Sequence, residues 1–195
     1  LIKKEYEMRF PDHITPFKIS AFDVESDVIH GTNDVIMATL SYGENVHTAI
    51  LKSFFDGYGD VENRLRECME RHLGEIVKKR NIKWSIEIVD TPAQIFVSCF
   101  KKAHELKPDL VAIWNMDYDI TKMEEMLKKE NIDPASVLSD PSVPDQFKYF
   151  YYKQGPKQKV TASGKVTPIK PAAQWHTVYV PASFYIVDAM CAYKH

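Results

Sequence analysis

The 195-residue chain has no apolar run approaching the ~20 residues that a membrane-spanning helix needs, and nothing in it reads as a secretory leader. The sequence therefore predicts a soluble protein of the cytoplasm. Cysteine is scarce. Cys68, Cys99 and Cys191 are odd in number and scattered, which speaks against a disulfide framework and suits buried thiols in a reducing compartment. An excess of charge of either sign is also missing, with a net charge of -2 and a pI of about 6.4. That excludes a protein that coats duplex nucleic acid through bulk basicity, but not one that confines its positive charge to one groove or loop. Internal repeats and low-complexity tracts are absent. So is an initiator methionine, and the chain reads as an excised piece: residues 1–16 a linker from an upstream domain, and 17–195 one domain cut short at its C-terminal end.

The apolar pattern predicts a fold of the α/β class. Strands are expected over 19–25, 35–42 and 46–54, separated by Gly31-Thr32-Asn33-Asp34 and Gly43-Glu44-Asn45, which makes a three-stranded antiparallel meander. Val61, Leu65, Cys68, His72, Leu73 and Ile76 recur at helical spacing up to the basic run Lys78-Lys79-Arg80. Cys68 with His72, and Cys191 with His195, have a spacing that can bind zinc, but the first pair also falls on this apolar face and is read as packing. A short strand over 84–89 comes next. Thr91-Pro92-Ala93-Gln94 then supplies an N-cap, a proline at the first helical position and a glutamine to complete a capping box, ahead of the stripe Ile95, Phe96, Cys99, Phe100, Ala103 and Leu106. A buried strand over 110–114 follows, and a helix carrying Ile120, Met123, Met126 and Leu127 is expected to start just after Asp119. Residues 133–146 read as helix and loop, and the aromatic run 147–152 as a strand whose rings pack in the core. Between about 153 and 175 the composition turns to Lys, Gly, Pro, Ser and Thr, with no acidic residue from Lys153 to Gln174. That segment predicts a basic hairpin insertion with a two-residue turn at Ser163-Gly164. Strands at 179–180 and 184–188 and the beginning of a helix at 189–195 complete the pattern.

Two stretches carry chemistry. In Phe22-Asp23-Val24-Glu25-Ser26 the alternation of a strand puts Asp23 and Glu25 on one side, where two like charges beside a core strand call for a cation. In Trp114-Asn115-Met116-Asp117-Tyr118-Asp119 a buried strand runs into a polar turn, so Asn115 and Asp119 fall at a strand's carboxyl end, where open α/β sheets bind ligands. In this order the two stretches resemble the first and second exonuclease motifs of family B DNA polymerases, particularly those of bacteriophages, and the resemblance extends roughly from Phe17 to Tyr193.

The resemblance implies a proofreading 3′-5′ exonuclease domain with a ribonuclease H-like mixed sheet, flanking helices and a β-hairpin insertion. It implies two-metal hydrolysis of the terminal phosphodiester, with Asp23 bridging both ions, Glu25 on the nucleophile side and Asp119 at the second ion. Asn115, Ser26 and Tyr118 would face the substrate strand, and Lys157, Lys159 and Lys165 of the hairpin would lie along phosphates. An oxygen-only ligand set calls for Mg²⁺ or Mn²⁺ rather than zinc. The implied partners are the single-stranded 3′ end, primer-template DNA, the remainder of the polymerase and a sliding clamp, in the host cytoplasm if the source is a phage. The family's third motif, Tyr-x-x-x-Asp, is not found after Asp119, since Tyr185 stands only three residues before Asp188. The fragment is therefore expected to be weakly active or inactive. Two other readings remain open. One is a resolvase-type nuclease on the same fold, which would need Asp117 or Asp188 as a further ligand; the other is a catalytically silent DNA-binding module.

Overall fold

The computed structural model describes residues 16–194 together with Glu5, Met8 and Arg9. The linker expected over 1–16 thus lies almost wholly outside the described residues, as does His195. Strands β1 (Ile19–Ser26), β2 (Val35–Tyr42) and β3 (Asn45–Leu51) form the expected antiparallel meander, in register Phe22 to Leu40 to His47. The chain leaves β3 at a short 3-10 turn, Lys52–Phe55, so the third strand stops before Phe54. Helix α1 (Val61–Lys79) leads to β4 (Lys83–Val89), which joins the outer edge parallel to β3. Helix α2 (Pro92–Leu106) returns the chain to β5 (Leu110–Ile113), parallel to β1 on its free side. Helices α3 (Met116–Lys129) and α4 (Pro134–Leu138) follow.

Next, β6 (Tyr151–Lys153) starts the insertion, β7 (Gln158–Val160) and β8 (Val166–Pro168) form its hairpin, and β9 (Thr177–Tyr179) closes it by pairing antiparallel with β6. Strand β10 (Tyr185–Asp188) lies parallel to β5, and α5 (Ala189–Lys194) ends the described chain. The sheet order is β10-β5-β1-β2-β3-β4. The architecture is thus α/β, a mixed sheet flanked by helices. No helix of the described residues is long and apolar enough to cross a membrane.

One sheet face makes the core. Phe22 and Val24 of β1, Ala38 and Leu40 of β2 and Ala49 of β3 are buried beneath Phe96, Cys99, Phe100 and Ala103 of α2 and Met123 and Leu127 of α3. The Phe22 and Phe100 rings lie 5.2 Å apart. Phe96 and Phe100 are fully buried, each stabilising the fold by roughly 2–3 kcal/mol through apolar transfer. A partly buried polar bridge ties the same helix to the sheet edge: His47 meets Ser85 at 2.8 Å and Ser98 at 2.7 Å, and Ser98 donates to Glu87 at 2.6 Å. Burial is the main cause that pushes the His47 pKa down, so the ring stays neutral.

The N-terminus of α2 is built as its sequence predicts. Gln94 N–H donates to the Thr91 hydroxyl, Thr91 N–H donates back to the Gln94 side chain, and Pro92 opens the helix. Thr91→Ala should lower stability by ~1 kcal/mol, seen as a fall in the urea midpoint with an unchanged slope. An unchanged midpoint would mean that the box adds nothing beyond the tertiary packing of α2.

Three expectations need correction. Helix α1 forms, but Leu73 and Ile76 are each 49% exposed, and Cys68 and His72 are exposed too. The reason is position: α1 lies along the edge strand β4, with Arg66 over the Trp84 ring, and has little sheet to cover. The aromatic run is strand only over Tyr151–Lys153; Phe150 and Tyr152 pack inward while Phe147, Tyr149 and Tyr151 face out. The hairpin turn is centred on Ala162–Ser163, with Gly164 N–H donating to the Thr161 carbonyl and Gly164 at φ 79°. A turn of this hand splays the strands unless a left-handed residue follows it, and glycine takes that conformation without cost.

Candidate functional site

The site grows from the unequal lengths of two parallel neighbours. Phe22 of β1 is level with Ile113, the last residue of β5, but β1 runs on through Asp23, Val24 and Glu25. Val24 turns into the core, so alternation leaves Asp23 and Glu25 exposed on the opposite face, past the end of β5. There the chain turns at Asn115 and α3 begins at Met116. The helix thus starts earlier than its sequence suggests. Met116 is apolar and only 1% exposed, so burying it draws the first turn into the core, and the Asn115 carbonyl accepts from the N–H groups of Tyr118 and Asp119. Asp119 therefore lies within the first turn of α3.

Asp119 is 2% exposed, and its Oδ2 has no hydrogen-bond partner. Its pKa is pushed up to about 7, chiefly by burial and then by the negative charges of Asp23 and Glu25. The three carboxylates thus share one end of the sheet and feel one another. They are not closed around a common point: among the described residues no three His, Cys, Asp or Glu side chains are drawn together enough to hold an ion. The Tyr118 hydroxyl donates to Ser26 Oγ at 2.7 Å, strapping the helix start to the end of β1. Asn115 is exposed, and its side chain makes no capping bond.

No family model matches this chain, and no curated protein matches it. The geometry has to carry the assignment. Beside the loop that follows β1 opens a cavity of about 800 Å³, walled by Phe54, Phe55 and Tyr58 with Arg64 among its lining. The rings meet edge to face, Phe54 on Phe55 and Phe55 on Tyr58, and the sequence pattern did not pick the cavity out.

Both candidates for the further carboxylate of a resolvase-type site accept hydrogen bonds from other groups. Asp188 accepts from the N–H groups of His176 and Cys191 at 3.1 Å each. Asp117 Oδ1 accepts from the Tyr152 hydroxyl at 3.0 Å and the Gln154 amide at 2.8 Å. Burial alone would raise the Asp117 pKa, but Tyr152, His176, Lys157 and Gln154 together hold it below its ordinary value. Of the three lysines assigned to phosphates, Lys159 and Lys165 are exposed on the hairpin, while Lys157 lies 3.5 Å from Asp117 Oδ2. Tyr152 and His176 were not foreseen at all.

Proposed function

We propose that this chain is the 3′-5′ exonuclease domain of a family B DNA polymerase of bacteriophage type, with a ribonuclease H-like fold. The observation that carries the reading is Asp119: a buried carboxylate with an unpartnered oxygen, at the end of a parallel strand and electrostatically coupled to Asp23 and Glu25. Leaving such a group buried and unpaired costs stability, and a hard divalent cation that drew Asp23 and Glu25 in toward it would offset that cost. The sheet order supports the fold assignment, with an antiparallel meander whose first strand is flanked by parallel β5 and β10; β4 is an added edge strand.

Asp23 and Glu25 would hold Mg²⁺ or Mn²⁺ from the strand and Asp119 from the helix. Such ions supply charge neutralisation at the phosphodiester and ease deprotonation of the attacking water. The protein's share is positioning. Tyr118 and Ser26, bonded to each other, fix the distance between helix and strand, and Asn115 is exposed beside them to meet the substrate strand. Lys159 and Lys165 offer salt-dependent, sequence-independent contacts to phosphates. Among the described residues, Asp117 and Asp188, the candidates for a further ligand, are both held in hydrogen bonds.

Mn²⁺ titration followed by spin resonance, with a labelled single strand as substrate, tests the reading. Weak Mn²⁺ binding that disappears in Asp23→Ala is expected, with slow hydrolysis or none. Mn²⁺ binding that survives Asp23→Ala would sink the assignment, and the absence of any binding would leave the silent DNA-binding module. Robust Mg²⁺-dependent hydrolysis, abolished by Asp23→Ala, would mean that Asp117 or Asp188 exchanges its hydrogen bonds for an ion and completes the site.

A further inference from the structure

Asp117 and Asp119 stand two apart on the first turn of α3 and point to different sides. Asp119 is buried toward the strand ends, whereas Asp117 meets the insertion. On the incoming leg of that insertion, the Tyr152 hydroxyl and the Gln154 amide both donate to Asp117 Oδ1, and Lys157 approaches Oδ2. The returning leg joins the same group. His176 Nδ1 lies 2.9 Å from the Tyr152 hydroxyl and accepts from Gly155 N–H at 3.3 Å, and the Tyr152 and His176 rings stack with their centroids 6.0 Å apart. His176 N–H then donates to Asp188 at the end of β10. One carboxylate on α3 thus gathers both legs of a segment that the composition alone describes as a basic hairpin insertion.

We propose that Asp117, Tyr152 and His176 are positioning residues: a latch that fixes the basic insertion on the first turn of α3 and, through that turn, holds Asp119 toward Asp23 and Glu25. The second half of this proposal rests on the nuclease reading. The density of bonds argues for a fixed orientation over a hinge. An exposed aspartate needs only water, but Asp117 is partly buried and satisfied by donors from three different side chains. His176 is 8% exposed, so losing these partners leaves buried polar groups without bonds. The latch sets the angle at which Lys159 and Lys165 stand to the carboxylates, which a freely swinging hairpin would not define.

The test uses the full chain with Cys68→Ser and two spin labels, at Ser163→Cys on the hairpin tip and Lys128→Cys on the outer face of α3. The remaining thiols, Cys99 and Cys191, are buried. Electron double resonance should give one narrow distance in this parent and a broadened distribution in Tyr152→Phe and in Asp117→Asn, with Lys170→Ala, an exposed position on the same insertion, unchanged as a control. Tyr152→Phe removes a single hydroxyl and keeps the ring stack, so it retains the fold even where Asp117→Asn does not. Mn²⁺ affinity should fall several-fold in the latch variants and not in Lys170→Ala. A narrow distance in both variants overturns the latch. Broadening with unchanged Mn²⁺ affinity overturns the link to Asp119. A parent that binds no Mn²⁺ overturns the nuclease reading and that link with it, and the distances still decide whether the latch exists.

Discussion

Asp119→Asn should make the metal-free chain more stable relative to the parent as pH rises, while it destroys Mn²⁺ binding. In the folded chain the Asp119 pKa is raised from 3.8 to about 7. An acid with a raised folded pKa favours the fold when protonated, so its contribution is fully present below the unfolded value near pH 4. It is lost as pH climbs through about 7 and stays lost above that. Three units correspond to an upper bound of ~4 kcal/mol, so ~2–4 kcal/mol is the expected scale. Asp27, Asp117 and Asp140 have lowered pKa values, so their stability is gained as pH rises to about 4 and is already present over most of this climb, and they are common to both proteins. The quantity to measure is therefore the stability of Asp119→Asn minus that of the parent, at pH 4 and at pH 8, by urea unfolding without metal. Taking the difference also removes the cost of burying the new amide. It should grow by ~2–4 kcal/mol between the two pH values, and Mn²⁺ at pH 8 should raise the parent's midpoint alone. Parallel pH profiles would mean that Asp119 is solvated and poised for nothing.

What the sequence makes legible here is whatever lies within one element. The meander follows from alternation and glycine turns, the start of α2 from Thr91, Pro92 and Gln94, and the outward pairing of Asp23 and Glu25 from the two-residue repeat of β1. What it hides is decided between elements. Helix α3 begins at Met116 because a core is there to take that side chain, which the run Asn115 to Asp119 cannot reveal. The stripe on α1 has helical spacing, but only the sheet order discloses that the helix lies over an edge strand and leaves Leu73 and Ile76 half in water. The latch is the extreme case. Asp117, Tyr152 and His176 come from three separate segments with no characteristic spacing, and their association depends on how the insertion folds back. Asp119 itself was legible as a residue type at a strand end; its burial and its unpartnered oxygen were not.

Gly155→Ala should part the two legs of the insertion. A β-carbon at Gly155 would stand 1.5 Å from the Gln174 carbonyl oxygen and 2.2 Å from its carbon. The obstacle is backbone, so no side-chain rotation relieves it. The φ of Gly155 is not among the positive ones, hence the effect is steric and not a matter of left-handed conformation. Removing a glycine also stiffens the unfolded chain, which favours folding by ~0.4–1 kcal/mol. Overpacking costs ~1–3 kcal/mol where neighbours can yield, and against rigid backbone the upper end applies, so the clash wins. The chain can respond in two ways. If the insertion stays docked, the urea midpoint falls by the equivalent of ~2–3 kcal/mol. If it detaches, the Gly155 bond to His176 and the pairing of β6 with β9 are lost, and the amides of Tyr151–Lys153 and Thr177–Tyr179 exchange with solvent while those of β1 and β5 stay protected. Gly164→Ala is the control, because that position has open space around it and pays only for its φ of 79°. A Gly155→Ala chain with the parent's midpoint and the parent's protection of β6 and β9 would mean that Gly155 and Gln174 are not in contact and that the two legs of the insertion do not close on each other there.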